Sequence, residues 1–313
     1  MMSKIIASGI TCGIMFCVIS AMSDVYIAKV TQALDSSVFI TWCFAMATMV
    51  FLTLALMRNG RAYLTKVNKN KKNLLLINVA VLLNWGGLII SLKYLEPAVV
   101  GIASVACGPA LTIILSRFLS GFTTRPDKAE SVISWAVMIG VMIMLINSWV
   151  GSSGVTSTSA TERAIGIICV LLSAVGTVLY TLFSKSLVNK KWSASEILGC
   201  RNVLILFTAL LYSAVMHISL QLDVIYFFIV VLLSVVGHII PIFLIQKSIG
   251  ALSPLHVAFL MLLIPVFTLA FQFTDRRIAV SWQTIIAVLA LTALLALLGI
   301  SKYFSATQSG GEK

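Results

Sequence analysis

Charge is scarce in this sequence. Of 313 residues only 10 % are Asp, Glu, Lys or Arg, against roughly 25 % in soluble domains. So few charges could not solvate the surface of a water-soluble enzyme. Acidic residues number 10 and histidines 3, and no carboxylate pair falls within an apolar stretch. HExxH, GxSxG and a phosphate-cradling glycine loop are missing, which leaves no catalytic constellation and predicts that the chain is not an enzyme and holds no cofactor. CxxC and Cys/His spacings are also lacking. The six cysteines, Cys12, Cys17, Cys43, Cys107, Cys169 and Cys200, all fall in apolar runs and read as small buried residues, not as disulfides or metal ligands.

What fills the space is apolar: 60 % of residues are hydrophobic. A membrane-spanning helix needs ~20 apolar residues, and ten such runs with short loops account for the whole length. They are predicted at 5–27, 37–57, 74–92, 97–118, 131–149, 164–184, 196–217, 223–245, 252–273 and 281–301. Helices are required, because an open sheet would leave backbone groups unpaired in lipid. The expected fold is an all-α integral membrane protein of ten transmembrane helices, with no room for a soluble domain. The first 23 residues also resemble a signal peptide (Lys4, an apolar run, Ser20–Ala21). The run is long for one, and the repeat below needs this helix. Gly9 and Gly13 form a GxxxG face suited to internal packing.

The net charge of +12 follows topology. With the N-terminus in the cytoplasm, sixteen Lys and Arg fall inside: Lys4, six in the loop 58–73, Arg117, Arg125, Lys128, Lys185, Lys190, Lys191, Lys247, Lys302 and Lys313. Five fall outside: Lys29, Lys93, Arg163, Arg276 and Arg277. This positive-inside asymmetry places both termini in the cytoplasm and argues against a nucleic-acid partner, which would want a basic face with interleaved aromatics.

The chain also repeats. At a shift of 156, Lys29 falls on Lys185 and Pro109 on Pro265, while Lys93/Lys247 and Pro97/Pro254 match within two residues. The expected organisation is a first five-helix repeat at 1–150, a Gly/Ser/Thr-rich linker at 151–163 and a second repeat at 164–313. Five is odd, so the second repeat enters from the opposite side. The loop 58–73 carries six basic residues and its counterpart 217–222 none. Inverted repeats around a midplane site are the architecture of secondary transporters.

Two stretches, Leu92–Ser120 (LKYLEPAVVGIASVACGPALTIILSRFLS) and Ala251–Gln272 (ALSPLHVAFLMLLIPVFTLAFQ), each approach a proline-containing fourth helix through a Lys and an opening proline. With their trailing apolar segments they resemble the EamA-type drug/metabolite transporter superfamily. The resemblance covers nearly the whole chain. It implies a central cavity lined by the first, third and fourth helices of each half, with the fourth helices as gates. The family tends to carry an Arg in the second helix of each half. Arg201 fits, and Trp42–Phe44 in the first half departs from it.

An ionisable group inside a span costs at least ~2.5 kcal/mol, so each is a functional candidate. Asp24 could bind a substrate amine or a coupling proton, or be a solvated end residue; at the repeat shift it falls on Tyr180. Asn84 and Trp85, midway along the third span, could offer a hydrogen bond and a stacking face, or an interhelical bond and a core ring. His238 could titrate in a proton-coupled cycle, or be a neutral histidine bonded to a carbonyl, and His256 is a weaker case. Ser104 and Cys107 precede Pro109 and could face the cavity. Lys29 and Lys93 defy the positive-inside pattern and are candidate gate residues, whereas Lys185 and Lys247 fit helix capping. Pro109 and Pro265 are candidate hinges, against static kinks. Arg201 is expected to form a structural ion pair, with Glu196 as the suggested partner. Together these features predict a carrier of a small polar metabolite, an amino acid or derivative, working by export with a proton as candidate coupling ion. The rival reading is an importer or exchanger of a nucleotide-like or cofactor-like solute. Filter-like loops and charged rings, which a channel would need, are lacking. The expected location is a bacterial inner membrane, with lipid and the small solute as partners.

Overall fold

The computed structural model describes residues 2–108, 110–111, 128–155, 157–275 and 278–310. Among them every regular element is helical and no strand occurs. In chain order the helices are α1 (Met2–Ala33), α2 (Ser36–Lys69), α3 (Lys71–Tyr94), α4 (Pro97–Ala106), α5 (Lys128–Val150), α6 (Ala160–Asn189), α7 (Ala194–Val215), α8 (Val224–Ala251), α9 (Pro254–Met261 with Leu263–Gln272) and α10 (Trp282–Gly310). Seven of them, α1 to α3 and α5 to α8, are long and apolar enough to cross a membrane, which makes this a multi-pass membrane protein. The outer face of α5 (Val132, Trp135, Ile139, Ile143, Ile146) is exposed and apolar at helical spacing, a surface that suits acyl chains and not water.

Local chemistry sets the helix starts. Pro97 and Pro254 occupy the first turn of their helices, where a missing N–H costs nothing. Ser159 with Glu162 and Ser193 with Glu196 form capping boxes at the heads of α6 and α7. Asp35 and Asp223 accept backbone N–H bonds at the heads of α2 and α8.

Several boundaries differ from expectation. α6, α8 and α10 run past their predicted ends at 184, 245 and 301. Residues 109 and 112–118 of the predicted 97–118 span lie outside the described residues. Two more differences have a visible cause. α1 runs to Ala33, six residues past its predicted end, because nothing between Ile27 and Ala33 breaks a helix. Most of the basic segment expected as a loop at 58–73 is helical: α2 continues to Lys69, and the chain bends at Gly60, whose φ of 48° only glycine takes without strain.

The helices pair in a regular way. α1 packs on α8 and α9, α3 on α6, α2 on α7, α4 on α9, and α5 on α10. α3 and α6 approach backbone to backbone: a Cβ on Gly176 would sit 2.3 Å from the Asn84 nitrogen, and one on Gly87 2.4 Å from the Cys169 carbonyl oxygen.

Candidate functional site

Helices α3, α7 and α8 lose regular α geometry midway, and several of the candidate residues gather there. α3 holds a π-helical turn at Leu82–Gly86 and α8 one at Leu233–Ile239. In α8 the cause is visible: Pro241 has no N–H to return to the preceding turn, so the ladder must shift. Such bulges turn side chains off the helical register and recur at functional sites. α7 breaks at Arg201 and Asn202, between Ala194–Cys200 and Val203–Val215. Asn78 of α3 stitches that break: its Nδ2 donates to the Cys200 carbonyl (2.9 Å) and its Oδ1 accepts from the Leu204 N–H (3.1 Å). Irregular backbone at membrane depth persists only where protein or a cavity satisfies it.

The two π turns bring Trp85 and His238 together, ring centroids 4.6 Å apart. Phe44 of α2 completes the group, 4.3 Å from His238 and 6.2 Å from Trp85. All three are buried, and His238 Nε2 has no hydrogen-bond partner. Asn84, by contrast, turns its Oδ1 to Thr177 (3.0 Å) and Ser173 (3.4 Å) of α6, an interhelical bond.

Arg201 is fully buried, yet none of Nε, Nη1 and Nη2 has a hydrogen-bond partner. Its guanidinium carbon lies 4.6 Å from the centroid of the Tyr180 ring. The phenol oxygen attracts the guanidinium electrostatically and as an acceptor of poor geometry, while the Tyr180 hydroxyl donates to Gln246 Oε1 of α8. Gln246 Nε2 is in turn buried and unpaired. The expected Arg201–Glu196 pair does not form: Glu196, at the head of α7, is bound by Lys66 at 2.9 Å and by Asn59 at 3.1 Å. A cation–π contact contributes about 2 kcal/mol when desolvated, whereas burying a charge costs several. Tyr180 therefore leaves Arg201 undercompensated.

Asp24 of α1 is its counterpart in sign. It is 5 % exposed and makes no hydrogen bond or ion pair with the described residues. It lies nine residues before the end of α1, deeper than the sequence implied. Ser20, one turn earlier on the same face, also keeps its hydroxyl unpaired.

The remaining candidates lie apart. Ser104 is buried on α4 and donates to the Gly101 carbonyl. Lys29 is exposed near the end of α1. Lys93 is half-buried, its Nζ 5.8 Å from the Tyr94 ring centroid. Pro265 is buried one turn past the break in α9 at Leu262, where its ring would crowd the Met261 carbonyl. Pro109 lies outside the described residues. His256 contacts only its own capping serine. Lys185 caps a helix end, donating to the carbonyls of Ile249, Gly250 and Leu252. Among the described residues no His, Cys, Asp and Glu cluster could hold a metal ion.

The two ends of the bundle differ. At the basic end a recess of about 520 Å³ opens between the start of α1 and the junctions of α6, α7 and α8, lined by Ser8, Trp192, Ser193, Gln246 and Lys247 among others. At the opposite end Glu96, fully buried, ties four segments together. Its carboxylate accepts from the Gly154 N–H (2.7 Å), Gln272 Nε2 (2.7 Å) and Thr284 Oγ1 (2.9 Å). Burial pushes the Glu96 carboxyl above its usual range, and these three donors pull it partly back.

A solved structure described only as "Crystal structure of protein" shares this fold, with a TM-score of 0.58 and 19 % identity over 93 % of this chain and 97 % of its own. No family model and no curated protein matches the chain.

Proposed function

We propose that the protein is a secondary transporter that moves a small polar metabolite, an amino acid or derivative, by alternating access. The observation that carries this reading is the pair Asp24 and Arg201: ionisable groups of opposite type, buried in a bundle of membrane helices, and neither with a charged partner among the described residues. Keeping such groups inside a membrane bundle is costly, and each is a functional candidate by default. A zwitterion supplies both counter-charges.

The reading takes the ten helices as two inverted five-helix repeats. The packing supports it: α1 on α8 and α6 on α3 are the same contact under exchange of halves, and α2–α7, α4–α9 and α5–α10 pair equivalent helices. The matched π turns of α3 and α8 support it independently. So does the resemblance to EamA-type drug/metabolite transporters. In this reading the fourth helices gate, with Pro109 and Pro265 as hinges and Lys29 and Lys93 near one mouth. Asp24 and His238 are the candidates for proton coupling. Both termini lie in the cytoplasm, and the membrane is a bacterial inner membrane. A nucleotide-like solute is the second reading; the Phe44–Trp85–His238 rings favour it, and the presence of a single unpaired buried cation, Arg201, among the described residues weighs against a polyanion.

The test is counterflow in proteoliposomes preloaded with unlabelled solute, over a panel of radiolabelled amino acids, nucleotides and vitamins. Saturable accumulation of an amino acid, lost in Asp24→Asn, is the expected result. Uptake that grows without saturation would identify a channel and overturn the proposal.

A further inference from the structure

Unpaired donors cluster on one side of the interior. Arg201 presents three guanidinium nitrogens with no acceptor. Gln246 presents Nε2 in the same condition, and Tyr180 joins the two, its ring under Arg201 and its hydroxyl on Gln246 Oε1. His238, within reach of the Arg201 charge, has an unpaired Nε2 as well, a donor in one imidazole tautomer and an acceptor in the other. Asn202 Oδ1 is an unpaired acceptor on the next residue, but it makes no bond to the guanidinium. Donors without acceptors call for an acceptor-rich ligand. A planar guanidinium and an amide N–H, joined through Tyr180, are the donor types that bind the two oxygens of a carboxylate.

The charge of the ligand can be bounded. Lys185 is committed to three backbone carbonyls, and Lys66 to Glu196. Lys247 stands in the wall of the recess, its Nζ 5.4 Å from the Phe243 ring centroid. Among the described residues Arg201 is thus the one fully buried cation without a counter-charge, which matches the single negative charge of a carboxylate better than a phosphate dianion. Access is also defined. Gln246 lines the recess at the basic end and accepts from Tyr180, whose ring lies under Arg201. Arg201 itself is fully buried behind that pair, so a solute reaches it only when the Tyr180–Gln246 bond opens.

We propose that Arg201 and the Gln246 amide form a carboxylate subsite, loaded from the recess at the basic end. The assignment rests on the carrier reading for its purpose but not for its chemistry, and the two fail separately.

The experiment is thermal unfolding of the purified full-length protein with sodium benzoate, its uncharged analogue benzamide, and inorganic phosphate. Benzoate raises the Tm of the wild type and benzamide does not. Arg201→Met and Gln246→Leu lose that shift, and Arg201→Lys keeps part of it, with binding weakened about 10- to 100-fold in Arg201→Met. Ligand-free Arg201→Met unfolds at or above the wild-type temperature, because it removes a buried charge that has no partner. Four results would overturn the subsite: no benzoate shift in the wild type, an equal shift in Arg201→Met, benzamide matching benzoate, or a ligand-free Arg201→Met well below wild type, which would make Arg201 structural. Phosphate outdoing benzoate would overturn the carboxylate assignment. A benzoate shift lost in Arg201→Met, alongside absent counterflow for every solute tested, would sink the carrier and keep the subsite. Saturable counterflow unchanged in Arg201→Met would do the reverse.

Discussion

The two ends of this bundle meet the same problem in different ways. At one end the helix termini stand apart around a recess, and polar groups line its wall. At the other, one buried carboxylate satisfies three donors from three segments, and Gln272 also accepts from the Ala98 N–H. Glu96 and Gly154 come before the middle of the chain, and Gln272 and Thr284 near its close. The clasp therefore joins parts that alternating access would have to separate. The recess end is held by contacts nearer the surface: the Lys66–Glu196 pair, with Lys66 27 % exposed, and Lys185 on the end of α8. A state closed by buried bonds at one end and open at the other is what one half-cycle of a carrier requires.

Breaking the clasp gives the largest effect. Glu96→Ala strands the Gly154 N–H, Gln272 Nε2 and Thr284 hydroxyl in a buried site, and lost partners of this kind cost about 3 kcal/mol or more in total. Thermal unfolding in detergent reads it as a lower Tm, and a maleimide should reach a cysteine introduced at Ser281 faster. At the recess end, Lys185→Met removes a charged donor from three carbonyls and costs about 2 kcal/mol. Lys66→Met breaks a partly solvated pair and costs at most about 1 kcal/mol. A Lys66→Met loss exceeding that of Glu96→Ala would invert the comparison.

The smallest effect is one of pH. Burial raises the folded pKa of Glu96 above its ordinary value of 4.5. Its contribution to stability is therefore full below that ordinary value and declines as pH rises through the elevated folded value. Glu96→Gln should flatten that part of the stability–pH curve. A wild-type curve that rises across the same window would contradict the assignment.

Hydropathy and charge made the helices legible, since among the described residues the apolar runs between polar punctuation are helical. They missed the interruptions. Nothing in the apolar run of α7 forecasts a break except Arg201 itself, an arginine followed by an asparagine. The break depends on Asn78, a residue 122 positions away in the chain, and no local pattern reports that. The π turn of α8 had a visible cause in Pro241, whereas the one in α3 had only the pair Gly86–Gly87 beside it. At the repeat shift Asn84 and Trp85 fall on Ile240 and Pro241, next to His238, and the structure does bring Trp85 onto His238. It also binds Asn84 to α6, a distinction that depends on the direction of a side chain. Arg201 was the reverse case. A carboxylate five residues away invited an ion pair, but Glu196 caps its own helix and answers to Lys66, leaving the arginine alone.

The account depends most on the two halves running in opposite directions. In a variant with its six native cysteines replaced, single cysteines at Thr65 and Ser219 can be labelled in sealed vesicles with a membrane-impermeant maleimide. The two sites should react from opposite faces, Thr65 from the cytoplasmic side and Ser219 from the other. Labelling of both from one face would mean that the halves are parallel, and the carrier mechanism would have no structural basis.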